Sequence, residues 1–146
     1  MTDRQRAIID TSALVGSLLR PNSVPRQAML KAIQTHDLCM SKSTLGELRT
    51  VVERPKFNPY LSLADRLLFV ETLVERARFW EVDSSSERLA EGACRDPKDA
   101  KFLALALACH AAHLISSDAD LLVLHPWQGI PILTPAQFLQ STEERP

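Results

Sequence analysis

Short apolar runs alternate along this chain with longer segments in which apolar residues recur at helical spacing. The runs predict strands at residues 7–10, 37–41, 79–82, 113–116 and 130–133. The segments between them predict helices, of which the longest is expected at about 62–78. Because strands alternate with helices, the pattern favours an α/β fold with a central, mostly parallel sheet between two helical layers.

One predicted helix is apolar on every side and organises the second half of the chain. Residues 102–109 read Phe-Leu-Ala-Leu-Ala-Leu-Ala-Cys, and a helix without a polar face is normally covered on both flanks. Before it stands Asp96-Pro97-Lys98-Asp99, which is typical of a helix start. Asp96 is the predicted N-cap, Pro97 the first helical residue, and Asp99 lies in the first turn.

Length and composition are those of an ordinary globular protein. The 146 residues predict one domain over 1–140, followed by a short flexible tail at 141–146. No apolar run approaches the roughly 20 residues that span a membrane, and no signal peptide pattern precedes the first strand, so we expect a cytoplasmic protein. Three cysteines without a Cys-x-x-Cys pair indicate neither a disulfide framework nor a thiolate zinc site.

Four acidic residues stand where the predicted elements meet. Asp10 and Asp118 follow strands, whereas Glu47 and Asp99 lie near the starts of helices. Taken singly, three of them have simple structural explanations: Asp118 could cap its own helix, Asp99 could complement a helix dipole, and Glu47 could complete a capping box opened by Thr44. Asp10 is harder to explain in this way, because an unpaired charge beside the core is costly.

Together the four acids indicate a cation site. In a parallel sheet all four can face one crevice at the carboxyl edge of the strands. Carboxylates that converge in a partly buried crevice repel one another and raise each other's pKa values unless a cation fills the space. Oxygen ligands without histidine or thiolate select Mg²⁺ or Mn²⁺, which typically serve phosphoryl chemistry.

The order of these motifs resembles the PIN-domain family. The resemblance rests on Ile-Ile-Asp10-Thr-Ser, Ser-Thr-Leu-Gly-Glu47-Leu, Asp96-Pro-Lys-Asp99-Ala-Lys and Leu-Ile-Ser-Ser-Asp118-Ala-Asp120, and it extends from residue 7 to about 139. More narrowly, the chain is similar to the toxin-like, VapC-like PIN ribonucleases of bacterial toxin–antitoxin modules. The resemblance implies a three-layer α/β/α fold and a metal-dependent endoribonuclease that uses Mg²⁺ or Mn²⁺.

The resemblance also implies a role for each candidate residue. Asp10, Glu47, Asp99 and Asp118 match the acidic metal ligands and catalytic residues of the family. Asp96 and Asp120 flank that set, and each is a substitute ligand, a group that supports a ligand, or a helix cap. Ser12 and Ser117 match positions that orient a ligand or a phosphate oxygen. The implied reaction is hydrolysis of an RNA phosphodiester by a water molecule that the metal activates, in line with the leaving 3′ oxygen.

The implied partners are an RNA substrate and, as open alternatives, an antitoxin protein and a second copy of the chain, with no membrane. The candidates for RNA contact are basic residues near the presumed crevice rim: Lys98, Lys101, Arg95 and Lys42. For any one of these residues, simple exposure to solvent is a commoner role than RNA contact, because lysine and arginine usually lie on helix surfaces. A non-catalytic PIN-like RNA-binding or scaffold protein remains the alternative function.

Overall fold

A parallel sheet forms the centre of the computed structural model, which describes residues 4–143. Within these residues the sheet has five strands in the order β3-β2-β1-β4-β5, and every neighbouring pair is parallel. The strands are β1 Arg6–Ile9, β2 Asp37–Met40, β3 Arg78–Phe79, β4 His113–Ile115 and β5 Ile132–Leu133. The predicted α/β/α fold class is therefore confirmed.

Helices connect the strands and cover both faces of the sheet. Their bounds are α1 Thr11–Leu19, α2 Val24–Thr35, α3 Lys42–Val52, α4 Leu63–Arg76, α5 Ser84–Glu91, α6 Ala100–Ala108, α7 Ala119–Leu122 and α8 Pro135–Glu143. Short 3₁₀ helices lie at Pro55–Phe57 and Pro97–Asp99. None of the helices within residues 4–143 combines the length and the apolar character needed to cross a membrane.

Most boundaries differ by one or two residues from those that the sequence predicts, and two differ by three. The third strand is Arg78–Phe79 rather than 79–82, because its pairing follows Cys39 and Met40 at the end of β2. The last helix continues to Glu143, three residues into the segment predicted to be a flexible tail. The rest of that tail, residues 144–146, lies outside the described residues.

Alternate strand residues pack into two separate cores, one on each face of the sheet. Ile8 and Leu114 face the side covered by α5, α6 and α7, whereas Ile9 and Ile115 face the side covered by α1 to α4 and α8. Helix α6 has five consecutive buried residues from Phe102 onward, as its apolar sequence predicts. Helices thus cover both faces of the sheet, and the loops that carry acidic residues lie at its carboxyl edge.

A fully buried arginine fixes the connection between α3 and α4. Arg66 donates to the carbonyl of Val52 at 2.6 Å, to Asn58 Oδ1 at 2.8 Å and to the carbonyl of Leu61. All three acceptors are uncharged groups at or after the end of α3, where backbone carbonyls lack helical partners. Arg66 therefore holds residues 53–61 in place, and part of this segment borders the acidic pocket described next.

Candidate metal centre

A pocket of about 400 Å³ opens at the carboxyl edge of the sheet. It lies where β1 and β4 end and where α1 and α6 begin, so that several helix starts and strand ends border the same space. Its polar and charged lining consists of Asp10, Thr11, Ser12, Glu47, Arg54, Lys56, Asp96, Lys98, Asp99 and Asp118. The four acids that the sequence singles out are thus brought to one pocket.

Asp10 is the most enclosed acid of the pocket and is held by several donors. It is the N-cap of α1, where its Oδ1 accepts from the backbone N–H of Ala13 at 2.9 Å. Ser12 Oγ donates to the same carboxylate at 2.9 and 3.0 Å, and Ser116 Oγ donates to its Oδ2. Burial raises the pKa of Asp10 above its ordinary value, while these hydrogen bonds oppose that rise.

Ser116 links two acids of the pocket and was missed by the sequence argument, which named Ser117. The Ser116 hydroxyl donates to Asp10 and accepts from the backbone N–H of Asp118 at 2.9 Å. Ser116 is fully buried, whereas Ser117 is exposed. In a strand whose side chains alternate between faces, the register that decides which serine points inward is fixed by pairing with β1, and the sequence does not show it.

We expect Ser116→Ala to lower the free energy of unfolding by about 2 kcal/mol at neutral pH, because it removes a bond to a buried carboxylate and leaves the N–H of Asp118 unpaired. Urea denaturation measures this change. Ser117→Ala is the matched control, with an expected change within about 0.5 kcal/mol because the side chain is exposed. Equal losses in both variants would contradict the linking role of Ser116.

Glu47 is bound on both carboxylate oxygens. The predicted capping box from Thr44 to Glu47 is wrong: Ser41 is the N-cap of α3 and forms the box with Thr44, so that Glu47 lies in the second turn. Its Oε2 accepts from Thr11 Oγ1, and its Oε1 accepts from Lys101 Nζ at 2.9 Å. Glu47 therefore has no capping role, and its side chain is directed by contacts across the pocket.

Asp99 is a buried acid whose carboxylate lacks, within the described part of the chain, a hydrogen-bond partner on one oxygen. Its side chain is 7% exposed, and its Oδ2 is buried without a hydrogen-bond partner among the described residues. Burial, followed by the nearby charges of Asp118, Asp96 and Asp10, raises the pKa of Asp99 to about 7. Asp99 precedes α6 but makes no side-chain capping bond there, so capping does not explain its position.

One group of three carboxylates joins the two flanking acids to Asp99. One carboxylate oxygen from each of Asp96, Asp99 and Asp120 lies within 4.8 Å of the other two. Asp96 also caps the 3₁₀ helix before α6, with its Oδ1 accepting from the Lys98 N–H at 3.0 Å. Asp118 caps α7 through the N–H of Asp120 at 2.9 Å. Asp96 and Asp118 thus cap helices and border the pocket at the same time.

The basic candidates lie at different places around the pocket. Lys98 lines it, and Lys101 is paired with Glu47, whereas Lys42 and Arg95 are exposed residues that do not line it. The structure adds Arg54, Lys56 and Phe57 from the segment held by Arg66. Their signal in the sequence is a basic and aromatic run, Arg-Pro-Lys-Phe, directly after the helix that carries Glu47.

The donor set fits a divalent cation. All candidate ligands are carboxylate oxygens, the type of ligand that Mg²⁺ and Mn²⁺ prefer. A buried carboxylate oxygen without a hydrogen-bond donor is costly in a protein interior, and a cation beside Asp99 would remove that cost. The raised pKa of Asp99 has a related origin, since burial is its main cause and the negative charges of Asp118, Asp96 and Asp10 add to it.

The fold and the pocket define a three-layer α/β protein with a parallel sheet and a carboxylate-lined site at its carboxyl edge. The family model of the PIN domain matches residues 6–120, and the chain belongs to this family. The predicted resemblance is thereby confirmed. No curated protein matches the sequence significantly.

Solved structures with similar folds agree with the family. PAE2754 from Pyrobaculum aerophilum superposes with a TM-score of 0.67 at 15% identity, over 97% of this chain and 99% of that one. The DNA-bound VapBC from Salmonella typhimurium gives 0.64 at 18%, over 90% and 98%. VapC20 from Mycobacterium tuberculosis, a Sarcin-Ricin loop cleaving toxin, gives 0.56 at 14%, over 86% and 98%. At such identities the likeness concerns the fold.

Proposed function

We propose that this PIN-domain protein is a metal-dependent endoribonuclease that hydrolyses RNA phosphodiester bonds. The observation that carries the proposal is the buried, unpartnered Oδ2 of Asp99 among further carboxylates. Without a cation, such an arrangement of carboxylates destabilises the folded protein. Binding of a cation would explain why the arrangement is present. A non-catalytic RNA-binding or scaffold module gains nothing from that arrangement.

Asp99 would hold the ion together with other acids near it, for which the candidates are Asp10, Asp96, Asp118 and Asp120. A bound Mg²⁺ or Mn²⁺ would activate a water molecule and stabilise the charge on the leaving 3′ oxygen. Ser12 and Ser116 orient the carboxylate of Asp10. Lys98, Arg54 and Lys56 supply positive charge at the pocket, where an RNA backbone would meet it.

We further propose that the protein is the toxin of a toxin–antitoxin module. The likeness of its fold to VapC20, a cleaving toxin, and to VapBC supports this role. Helix α4 supports contact with an antitoxin or a second copy of the chain, because it leaves three apolar side chains exposed: Leu63 at 44%, Leu67 at 37% and Leu68 at 65%.

The nuclease activity can be tested with end-labelled RNA, Mn²⁺ and the metal chelator EDTA. We expect the wild-type protein to produce fragments with 5′-phosphate ends in Mn²⁺ and none in EDTA, and Asp99→Asn to produce none in either. Asp65→Asn is the control, because it makes the same change at an exposed acid outside the pocket. RNA binding without cleavage by the wild-type protein, over many RNA sequences, would favour the binding module instead.

A further inference from the structure

The ion pair between Lys101 and Glu47 places a positive charge of the chain beside the acidic pocket. Lys101 Nζ lies 2.9 Å from Glu47 Oε1 and donates to the carbonyl of Lys98 at 2.7 Å. The two charged side chains are 20% and 22% exposed, so the pair is only partly screened by water. The ammonium is therefore held by two acceptors, one on α3 and the other in the 3₁₀ helix that precedes α6.

The remaining oxygen of Glu47 is also used. Thr11 Oγ1 donates to Oε2, so each oxygen of Glu47 has a donor from the chain. Asp99 is the opposite case, with one buried oxygen that has no donor among the described residues. A cation that bound Glu47 directly would have to displace the ammonium of Lys101 or lie against it, and like charges in contact repel strongly.

We propose that Lys101 takes the place of a second metal ion beside Glu47, so that the pocket binds a single divalent ion, centred on Asp99. Glu47 is then a positioning residue that fixes the ammonium of Lys101 and does not bind the metal. The inference rests on the proposed metal-dependent function and decides how many ions that function uses. The inference also gives Glu47 a different role from Asp10, Asp99 and Asp118, which the sequence groups with it as metal ligands.

The decisive variant removes both charges of the pair. Glu47→Gln combined with Lys101→Met leaves the net charge of the site unchanged, so it tests ligation apart from long-range attraction. Isothermal titration with Mn²⁺ should give one bound ion and a Kd within about threefold of wild type. A carboxylate that contacts the ion contributes a strong attraction, so if Glu47 were a ligand the Kd should rise at least about tenfold.

Single variants test the place of the ammonium. Lys101→Met frees Glu47, and we expect the number of bound Mn²⁺ ions to rise from one to two. Lys101→Arg keeps the positive charge and should keep one ion. Lys98→Met is the matched control, because it removes a lysine charge three residues away that lines the pocket without an ion pair to Glu47 among the described contacts. It should also bind one ion.

Three results would overturn the proposal: two ions in the wild-type protein, one ion in Lys101→Met, or a tenfold weaker Kd in the double variant. Each of these leaves a metal site in place and so leaves the proposed function standing. Absence of Mn²⁺ binding by the wild-type protein would instead overturn the metal-dependent function together with this inference. Circular dichroism spectra of every variant should match that of the wild-type protein, which checks that each variant is folded.

Discussion

Asp99→Asn should make the metal-free protein more stable than wild type above pH 7. Burial and neighbouring carboxylates raise the pKa of Asp99 in the folded protein to about 7, well above the value near 4 of an unfolded chain. The folded state therefore holds a proton more tightly than the unfolded state. Stability conferred on the wild type by that proton is present at low pH and is lost as pH rises through about 7.

The asparagine carries no charge, so it removes this loss. At pH 8 the gain has an upper limit of about 4 kcal/mol, and a rise in the melting temperature of at least about 3 °C is expected. The gain should vanish below about pH 4, where both proteins are uncharged at this position. Differential scanning calorimetry in chelator, from pH 4 to pH 8, measures it.

Asp65→Asn is the control for this experiment, because Asp65 is an exposed acid in the first turn of α4. Its expected change is within about 0.5 kcal/mol at every pH. If Asp99→Asn is instead less stable than wild type across the whole range, Asp99 stabilises the start of α6. In that case the acidic pocket is not a strained metal centre.

Asp10→Asn should abolish RNA cleavage while the protein keeps its fold. The Oδ2 acceptor of Ser116 is lost, but so is the cost of burying a charge. Asparagine caps helices about as well as aspartate, and its Oδ1 can still accept from the N–H of Ala13. The loss of one negative charge beside the ion should lower the cleavage rate at least about a hundredfold, since a catalytic metal supplies several kcal/mol of transition-state stabilisation. Cleavage of labelled RNA in Mn²⁺ measures the rate.

Asp10→Ala separates the catalytic role of Asp10 from its capping role. It should lose cleavage to the same extent, and its free energy of unfolding should be about 1 kcal/mol below that of Asp10→Asn, because α1 loses its cap. Urea denaturation of both variants provides the comparison. An Asp10→Asn protein that still cleaves RNA at the wild-type rate would show that Asp10 serves the fold alone.

The strand ends could be predicted because each combines an apolar run with a following acid. Asp10 and Asp118 follow β1 and β4 in this way, and the parallel sheet brings both to the same edge. The start of α3 was harder to predict, because three hydroxyl side chains within residues 41–44 could each serve as the N-cap. The end of β2 at Met40 makes Ser41 the cap and leaves Glu47 for the pocket.

The contacts between distant residues had no local signal. Lys101 and Glu47 are 54 positions apart, and their ion pair depends on how α3 and α6 meet across the pocket. The sequence also ranked Asp96 and Asp120 behind the other acids, since both only flank the positions that match the metal ligands of the family. Only the structure shows that one carboxylate oxygen from each of Asp96, Asp99 and Asp120 lies within 4.8 Å of the other two.

Thermal melting with and without Mn²⁺ tests the metal centre most directly, on the wild-type protein, Asp10→Asn and Asp99→Asn side by side. A ligand that binds only the folded state stabilises it by mass action, so Mn²⁺ at about a hundred times its Kd should add about 2.7 kcal/mol. We expect the melting temperature of the wild type alone to rise. An equal rise in all three proteins, or no rise in any of them, would contradict a divalent ion held by these carboxylates.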